Sequence, residues 1–193
     1  MRVVVAGAQR PMVGQTVCGD AYTVARHERT TLVCVADGLG HGPAAQEASE
    51  AACRHAREHA GEPLDALIRG IDRAIAGLRG AAVSLLAIDE VAARVRFVGV
   101  GNVELRAVAR TPIGPPNFPG IVGQRMRTPK VWEYQLAVGD VILLISDGIS
   151  SRFDLAPIAH LEPKALADAI LASHGKSHDD ATCVVARVVA EGA

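Results

Sequence analysis

Twice in this chain an apolar run of strand length stops at Asp-Gly: Val33-Cys34-Val35-Ala36 before Asp37-Gly38, and Val141–Ile145 before Ser146-Asp147-Gly148. Runs this short and this apolar read as strands buried on both faces. A carboxylate at the end of such a strand stands on a rigid support and faces the connecting loops. The glycine beside it lets the backbone turn and leaves a backbone group uncovered. One copy is an ordinary turn signal, because Asp-Gly suits turn geometry. Two copies, with Asp20 and Asp179-Asp180 also flanking strand patterns, point to one shared acidic site.

The rest of the chain supplies a scaffold for it. A first strand is expected over 2–7 in an outer position, followed by an irregular loop over 9–19. Residues 20–36 read as an antiparallel hairpin, which sets Asp20 and Asp37 at the same end. An alanine-rich helix is expected over 43–60, with Arg54, Arg57 and His59 late in it, the favourable end for cations. A second helix over 64–78 puts Leu64, Leu67, Ile68, Ile71, Ile75 and Leu78 on one face. Strand patterns over 82–88, 94–100 and 103–108 read as a meander. Those over 131–136 and 141–145 read as a hairpin turning at Gly139-Asp140, ahead of a helix over 163–173 and a last strand over 181–189. The stretch 111–130, with Pro112, Pro115, Pro116, Pro119 and Pro129, is too long for a plain connector and reads as a functional loop or flap. This order argues for an α+β fold, sheets with helices outside them, in a single domain over 1–193.

Composition narrows the function. Lysine and arginine number 20 against 21 acidic residues, so no basic bias points to nucleic acid or an anionic membrane surface. No apolar run reaches the length of a membrane span, and the first residues lack a signal-peptide pattern, so a soluble cytoplasmic protein is expected. Aromatic residues are only 3% of a chain that is 49% hydrophobic, so the core must be aliphatic. Cys18, Cys34, Cys53 and Cys183 form no CxxC pair and read as buried free thiols.

Gathered carboxylates repel one another and need cations to be stable. All-oxygen ligation suits Mg²⁺, Mn²⁺ or Ca²⁺, and no Cys/His spacing suggests zinc. Two such ions bridged by one aspartate share a water, lower its pKa and aim it in line at a phosphorus atom. Competing chemistry is poorly supported. The glycine loop over 38–42 lacks the Lys-Ser/Thr of a P-loop, and Ser150-Ser151 sit in no GxSxG elbow. His41 reads equally as a hydrogen-bonding or proton-donating partner of the site and as a plain loop residue, whereas His178 reads as a loop residue. Arg125, Arg127 and Lys130 form a basic cluster that reads as a solvated face or a contact for a phosphorylated partner.

Gly19-Asp20, Val35–Gly42 (VADGLGHG), Gly99–Asn102 (GVGN), Gly139–Ile149 (GDVILLISDGI) and Ser177–Thr182 (SHDDAT) occur in this order. The ordered set resembles the metal-dependent serine/threonine protein phosphatases, the PPM family, in its bacterial branch of sporulation and sigma-factor phosphatases. The resemblance implies a four-layer α-β-β-α sandwich of two antiparallel sheets flanked by helices, with two Mn²⁺ or Mg²⁺ ions at one end. It implies that Asp37 bridges the ions and that Gly38 offers its backbone carbonyl. Asp147 and Asp179 would complete one ion's set, and Asp20 would serve the other directly or through water. No protein nucleophile is implied: Asp37 and Asp147 would act through a metal-activated water. Asp180 stands where many relatives carry Asn and could trade roles with Asp179. Gly19-Asp20 replaces the Glu-Asp of many members, and 13–16 (Val-Gly-Gln-Thr) lacks the arginine that holds substrate phosphate in many eukaryotic ones. The implied substrates are phosphoserine or phosphothreonine on stressosome scaffold proteins of the STAS-domain type, in negative feedback on stress signalling. A non-catalytic docking module that keeps the fold, and a two-metal hydrolase of small phosphate esters, are the other readings.

Overall fold

The layers follow from an alternation inside each apolar run. Leu32, Cys34 and Ala36 are buried in one cluster and Val33 and Val35 in another, because successive strand side chains point to opposite faces. The computed structural model describes residues 1–127 and 129–192; Thr128, inside the proline-rich stretch, and Ala193 lie outside the described residues. In chain order the elements are β1 (Arg2–Arg10), β2 (Asp20–His27), β3 (Thr30–Gly38), α1 (Pro43–Glu58), α2 (Leu64–Ala74), β4 (Ala81–Asp89), β5 (Arg94–Val100) and β6 (Glu104–Val108). Then come β7 (Gly120–Ile121), β8 (Arg125–Met126), β9 (Trp132–Gln135), β10 (Val141–Ile145), a 3₁₀ turn (Ala156–Ile158), α3 (Pro163–His174) and β11 (Ala181–Val189).

Two antiparallel sheets stack face to face, ordered β2-β3-β4-β5-β9 and β1-β11-β10-β6. Leu32, Cys34 and Ala36 pack with Leu67, Ile68, Ile71 and the alanines of α1. Val33 and Val35 meet Ile142, Leu144, Val184 and Val188 from the opposing sheet. The other faces of β10 and β11 (Leu143, Ile145, Cys183, Val185) pack on Leu166 and Ile170 of α3. Three apolar clusters therefore separate four layers, helix–sheet–sheet–helix. No helix among the described residues is long and apolar enough to cross a membrane.

Helix α1 lies close to its sheet because its inward face is small. Ala45, Ala48, Ser49, Ala52 and Ala56 are all fully buried. Helix α2 is anchored by Leu67, Ile68 and Ile71, with Ile75 just beyond it, each fully buried and each contributing about 1.5–3 kcal/mol of apolar burial. It ends before the expected residue 78, in a turn through Gly77 at φ +89°.

Two local expectations fail for one reason. β6 does not continue the meander beside β5, and β9 and β10 do not form a hairpin. In each case the short link carries the chain from one sheet to the other. β6 pairs with β10, and β9 pairs with β5. Substituting Phe97, fully buried in the inter-sheet core, should show how far the sandwich depends on this layer. Phe97→Ala is expected to cost about 3–5 kcal/mol, read as a lower urea midpoint with an unchanged slope.

Candidate active site

Each sheet brings carboxylates to one rim. Asp20 opens β2 and Asp37 lies opposite it near the end of β3. In the other sheet Asp147 follows β10, Asp179 and Asp180 precede β11, and Ile145 sits opposite Cys183. Asp37, Asp147 and Asp179 line one cleft of about 430 Å³, together with Leu39, Gly40, His41 and Asn102.

Asp20 and Asp180 stand behind that cleft, 2% and 3% exposed. Asp20 Oδ2 accepts the Ser146 hydroxyl at 2.6 Å. Asp180 Oδ1 accepts the Met12 backbone N–H at 2.9 Å. Its Oδ2 has no hydrogen-bond partner among the described residues and faces Gly19, where a Cβ would come within 2.6 Å of it. His178 is exposed and outside the cleft lining. Cys18 is buried, donates its thiol to Arg10 O at 3.3 Å, and is pushed up to about 12 by burial and by Asp20, so it is an unreactive thiol.

The glycine after each aspartate has a steric reason. A Cβ on Gly38 would lie 2.1 Å from Ala45 O, where α1 begins to press on the sheet, and its N–H donates to Gly19 O at 3.2 Å. A Cβ on Gly148 would lie 1.8 Å from Asp180 O. Both strand–Asp–Gly copies let another segment's backbone pass directly against the carboxylate's neighbour. The first contact holds the Asp37 segment against the start of α1, and the second locks the segments bearing Asp147 and Asp180 together.

The motif reading did not single out the groups that orient these carboxylates. Asn102 Nδ2 donates to Asp147 Oδ2 at 2.6 Å, and Lys176 Nζ donates to the Asp147 backbone carbonyl. Ser146 Oγ, besides donating to Asp20, accepts the Thr182 N–H at 2.9 Å and so ties β10 to β11 below the rim. Asn102 belongs to GVGN and Ser146 to ISDG, so both lay inside recognised motifs without a role. Lys176 had no signal beyond its nearness to Asp179.

Electrostatically the rim is under strain. Burial, then the Asp20, Asp147, Asp179 and Asp180 carboxylates, pushes Asp37 up to about 9. Burial pushes Asp20 up to about 6, against the lowering effect of its Ser146 hydrogen bond. Burial and then the neighbouring Asp147 raise Asp179. No three His, Cys, Asp or Glu side chains among the described residues converge closely enough to hold a metal ion as they stand. The donor chemistry nonetheless fits a hard divalent cation. The donors are all oxygen, the carboxyls resist ionising together, and Asp37, Asp147 and Asp179 face one shared cleft.

The raised values set a pH dependence for the metal-free protein. Each folded value lies above the ordinary 3.8, so the folded state binds more protons than the unfolded one. The stability tied to those protons is complete below about pH 4 and is lost as pH rises through about 6 and on toward 9. In chelator, the melting temperature is expected to fall by about 5 °C between pH 5 and pH 9, as read by differential scanning calorimetry. Asp37→Asn should flatten that slope.

The family model for stage II sporulation protein E (SpoIIE) matches residues 27–189. Phosphoserine phosphatase RsbX of Bacillus subtilis (strain 168) is 28% identical over 141 residues, 71% of this chain and 70% of that protein. A chain from a structure of the bacterial stressosome, described as a modular system adapted to control secondary messenger signalling, superposes with a TM-score of 0.93. It is 30% identical and covers 97% of this chain and 100% of its own. RsbX crystallised with magnesium superposes with a TM-score of 0.85 at 21% identity, covering 96% of this chain and 94% of that one. The chain belongs to the stage II sporulation protein E family and, with the fold of RsbX, it is a phosphatase.

Proposed function

We propose that this chain, acting as one catalytic unit over its length, hydrolyses phosphoserine or phosphothreonine on a partner protein with the help of two Mn²⁺ or Mg²⁺ ions. The partner we propose is a STAS-domain protein of a stressosome, and the reaction would return a stress-signalling assembly to rest. The observation that carries the chemistry is the convergence of Asp37, Asp147 and Asp179 on one cleft from two separate sheets. The stressosome and RsbX relatives support the choice of partner.

In this reading Asp37, Asp147 and Asp179 would hold the ions, with the Gly38 carbonyl beside them and Asp20 serving directly or through water. Bound ions of this kind supply a water of lowered pKa and neutralise charge on the phosphoryl oxygens. Asn102 fixes the Asp147 carboxylate by its 2.6 Å hydrogen bond, and Lys176 fixes the same residue's backbone. Asp20, braced by Ser146, keeps the floor of the site negative. His41, exposed on the glycine loop at the cleft, would hand a proton to the departing serine or threonine oxygen.

Hydrolysis of an aryl phosphate and of a phosphoserine peptide should require Mn²⁺ or Mg²⁺ and stop in chelator. Asp37→Ala or Asp147→Ala should lower kcat at least a thousandfold with the fold intact by circular dichroism. Stoichiometric partner binding without turnover at saturating Mn²⁺ would support the docking-module reading instead, and turnover of small phosphate esters but no phosphopeptide would support the small-ester hydrolase. The two adjacent aspartates should also separate. Asp179→Asn is expected to weaken Mn²⁺ binding at least tenfold by titration calorimetry, whereas Asp180→Asn should change the melting temperature more than the affinity.

A further inference from the structure

The proline-rich stretch is fastened along much of its length. Asn117 Nδ2 donates to Gly101 O at 3.1 Å and to Val103 O at 2.6 Å. Phe118 N–H donates to Gly99 O at 2.8 Å, Gly101 N–H donates to Phe118 O at 2.9 Å, and Val122 pairs with Ala81 in both directions. Gly123 N–H then donates to Asp72 Oδ1 at 2.7 Å, and Gln124 Nε2 donates to Arg79 O. The β7–β8 ribbon is therefore a fixed wall of the acidic cleft, which Pro119, Gly120 and Ile121 help to line.

Pro119 and Gly120 also line a second hollow of about 300 Å³, whose other walls are Arg125 and Arg127. The two hollows share these residues and so adjoin, an acidic cleft and an arginine hollow that a bound peptide would follow as one groove. Gly120 lies where they adjoin, and only glycine suits it: its φ is +151°, and a Cβ there would lie 2.8 Å from Arg125 O. Both arginines are exposed, and neither guanidinium has an ion-pair or hydrogen-bond partner among the described residues. The third cation of the sequence cluster, Lys130, is engaged elsewhere, 4.2 Å over the Trp132 ring.

We propose that Arg125 and Arg127 form a second anion subsite that takes an acidic side chain close to the phosphorylated residue of the protein substrate. The proposal rests on the phosphatase reading and assigns its specificity. A guanidinium binds carboxylate through a two-pronged fork, so an unpaired arginine at a groove end is a carboxylate receptor. The acidic end of the groove takes the phosphoryl group through its cations and repels any other anion. A second negative group on the substrate is therefore accommodated only at the arginine end. Two arginines on a chain with net charge -1 are too few to track a nucleic acid backbone, and a groove that ends at a phosphoryl site suits a ligand carrying both anions on one peptide.

Two phosphoserine peptides of equal length test this, one with acidic and one with neutral residues flanking the phosphoserine. The wild type should show about tenfold higher kcat/KM for the acidic peptide. Arg125→Gln/Arg127→Gln should remove most of that preference through KM, and Arg125→Glu/Arg127→Glu should reverse it toward the neutral peptide. Fluorescence anisotropy of the same peptides in Mn²⁺ reads the preference independently of turnover, so an inactive protein with intact discrimination fails the catalytic reading and keeps the subsite. Equal binding of both peptides by the wild type overturns the proposal. So does a double variant that weakens both equally, or arginine-dependent binding to anionic vesicles with no peptide discrimination.

Discussion

The carboxylates at the rim are held closer than they would settle on their own, and the aliphatic sandwich beneath them supplies the force. Asp37 is driven up to about 9 by burial and by the acids around it. Lost hydration first, and repulsion second, make ionising it cost on the order of several kcal/mol. Against it stand many fully buried Val, Leu and Ile side chains, each contributing about 1.5–3 kcal/mol before chain entropy is subtracted. The core wins because it lies between strands that end at the rim. Pulling the acids apart would mean unzipping β3 from β2 or β10 from β11. Local steric fit does the rest: Gly38 under Ala45 O and Gly148 against Asp180 O leave no room for the segments to drift.

The strands whose two faces are both buried were the easiest part to read in the sequence. The span of β11 matches its expected span, and the Asp20–Asp37 pairing matches the expected hairpin, because an apolar run bounded by Asp-Gly leaves little choice of register. Sheet membership was not readable. Gly101-Asn102 and Gly139-Asp140 have turn composition, yet both link strands of different sheets. What decides this is distant in sequence. Ser84 Oγ and Asn117 Nδ2 both donate to Val103 O, at 2.8 and 2.6 Å, and hold the first crossover. The buried Asp140 carboxylate takes the N–H groups of Arg110 and Ala137 and holds the second.

The first of these unread crossovers is also part of the site. A hairpin at 101–102 would have kept Asn102 within one sheet. Stepping between sheets, with Gly101 at φ +91° against Ala82, carries Asn102 across to Asp147. Local rules failed where the chain gave up regular pairing to place a side chain.

The same reasoning separates the neighbouring aspartates and accounts for a departure from the family pattern. Asp179 lines the cleft, while Asp180 turns beneath it, fixed by Met12, with its free oxygen in the space where a side chain at position 19 would begin. The phosphatase pattern that the sequence resembles has Glu at the position of Gly19 in its eukaryotic members and Asn at that of Asp180. A glutamate at 19 could not enter here without displacing Asp180 Oδ2, and with Asn at 180 the carboxylate at that spot would be gone. Asp180, buried and pinned by Met12, therefore stays beneath the cleft, and its mouth is left to Asp37, Asp147 and Asp179.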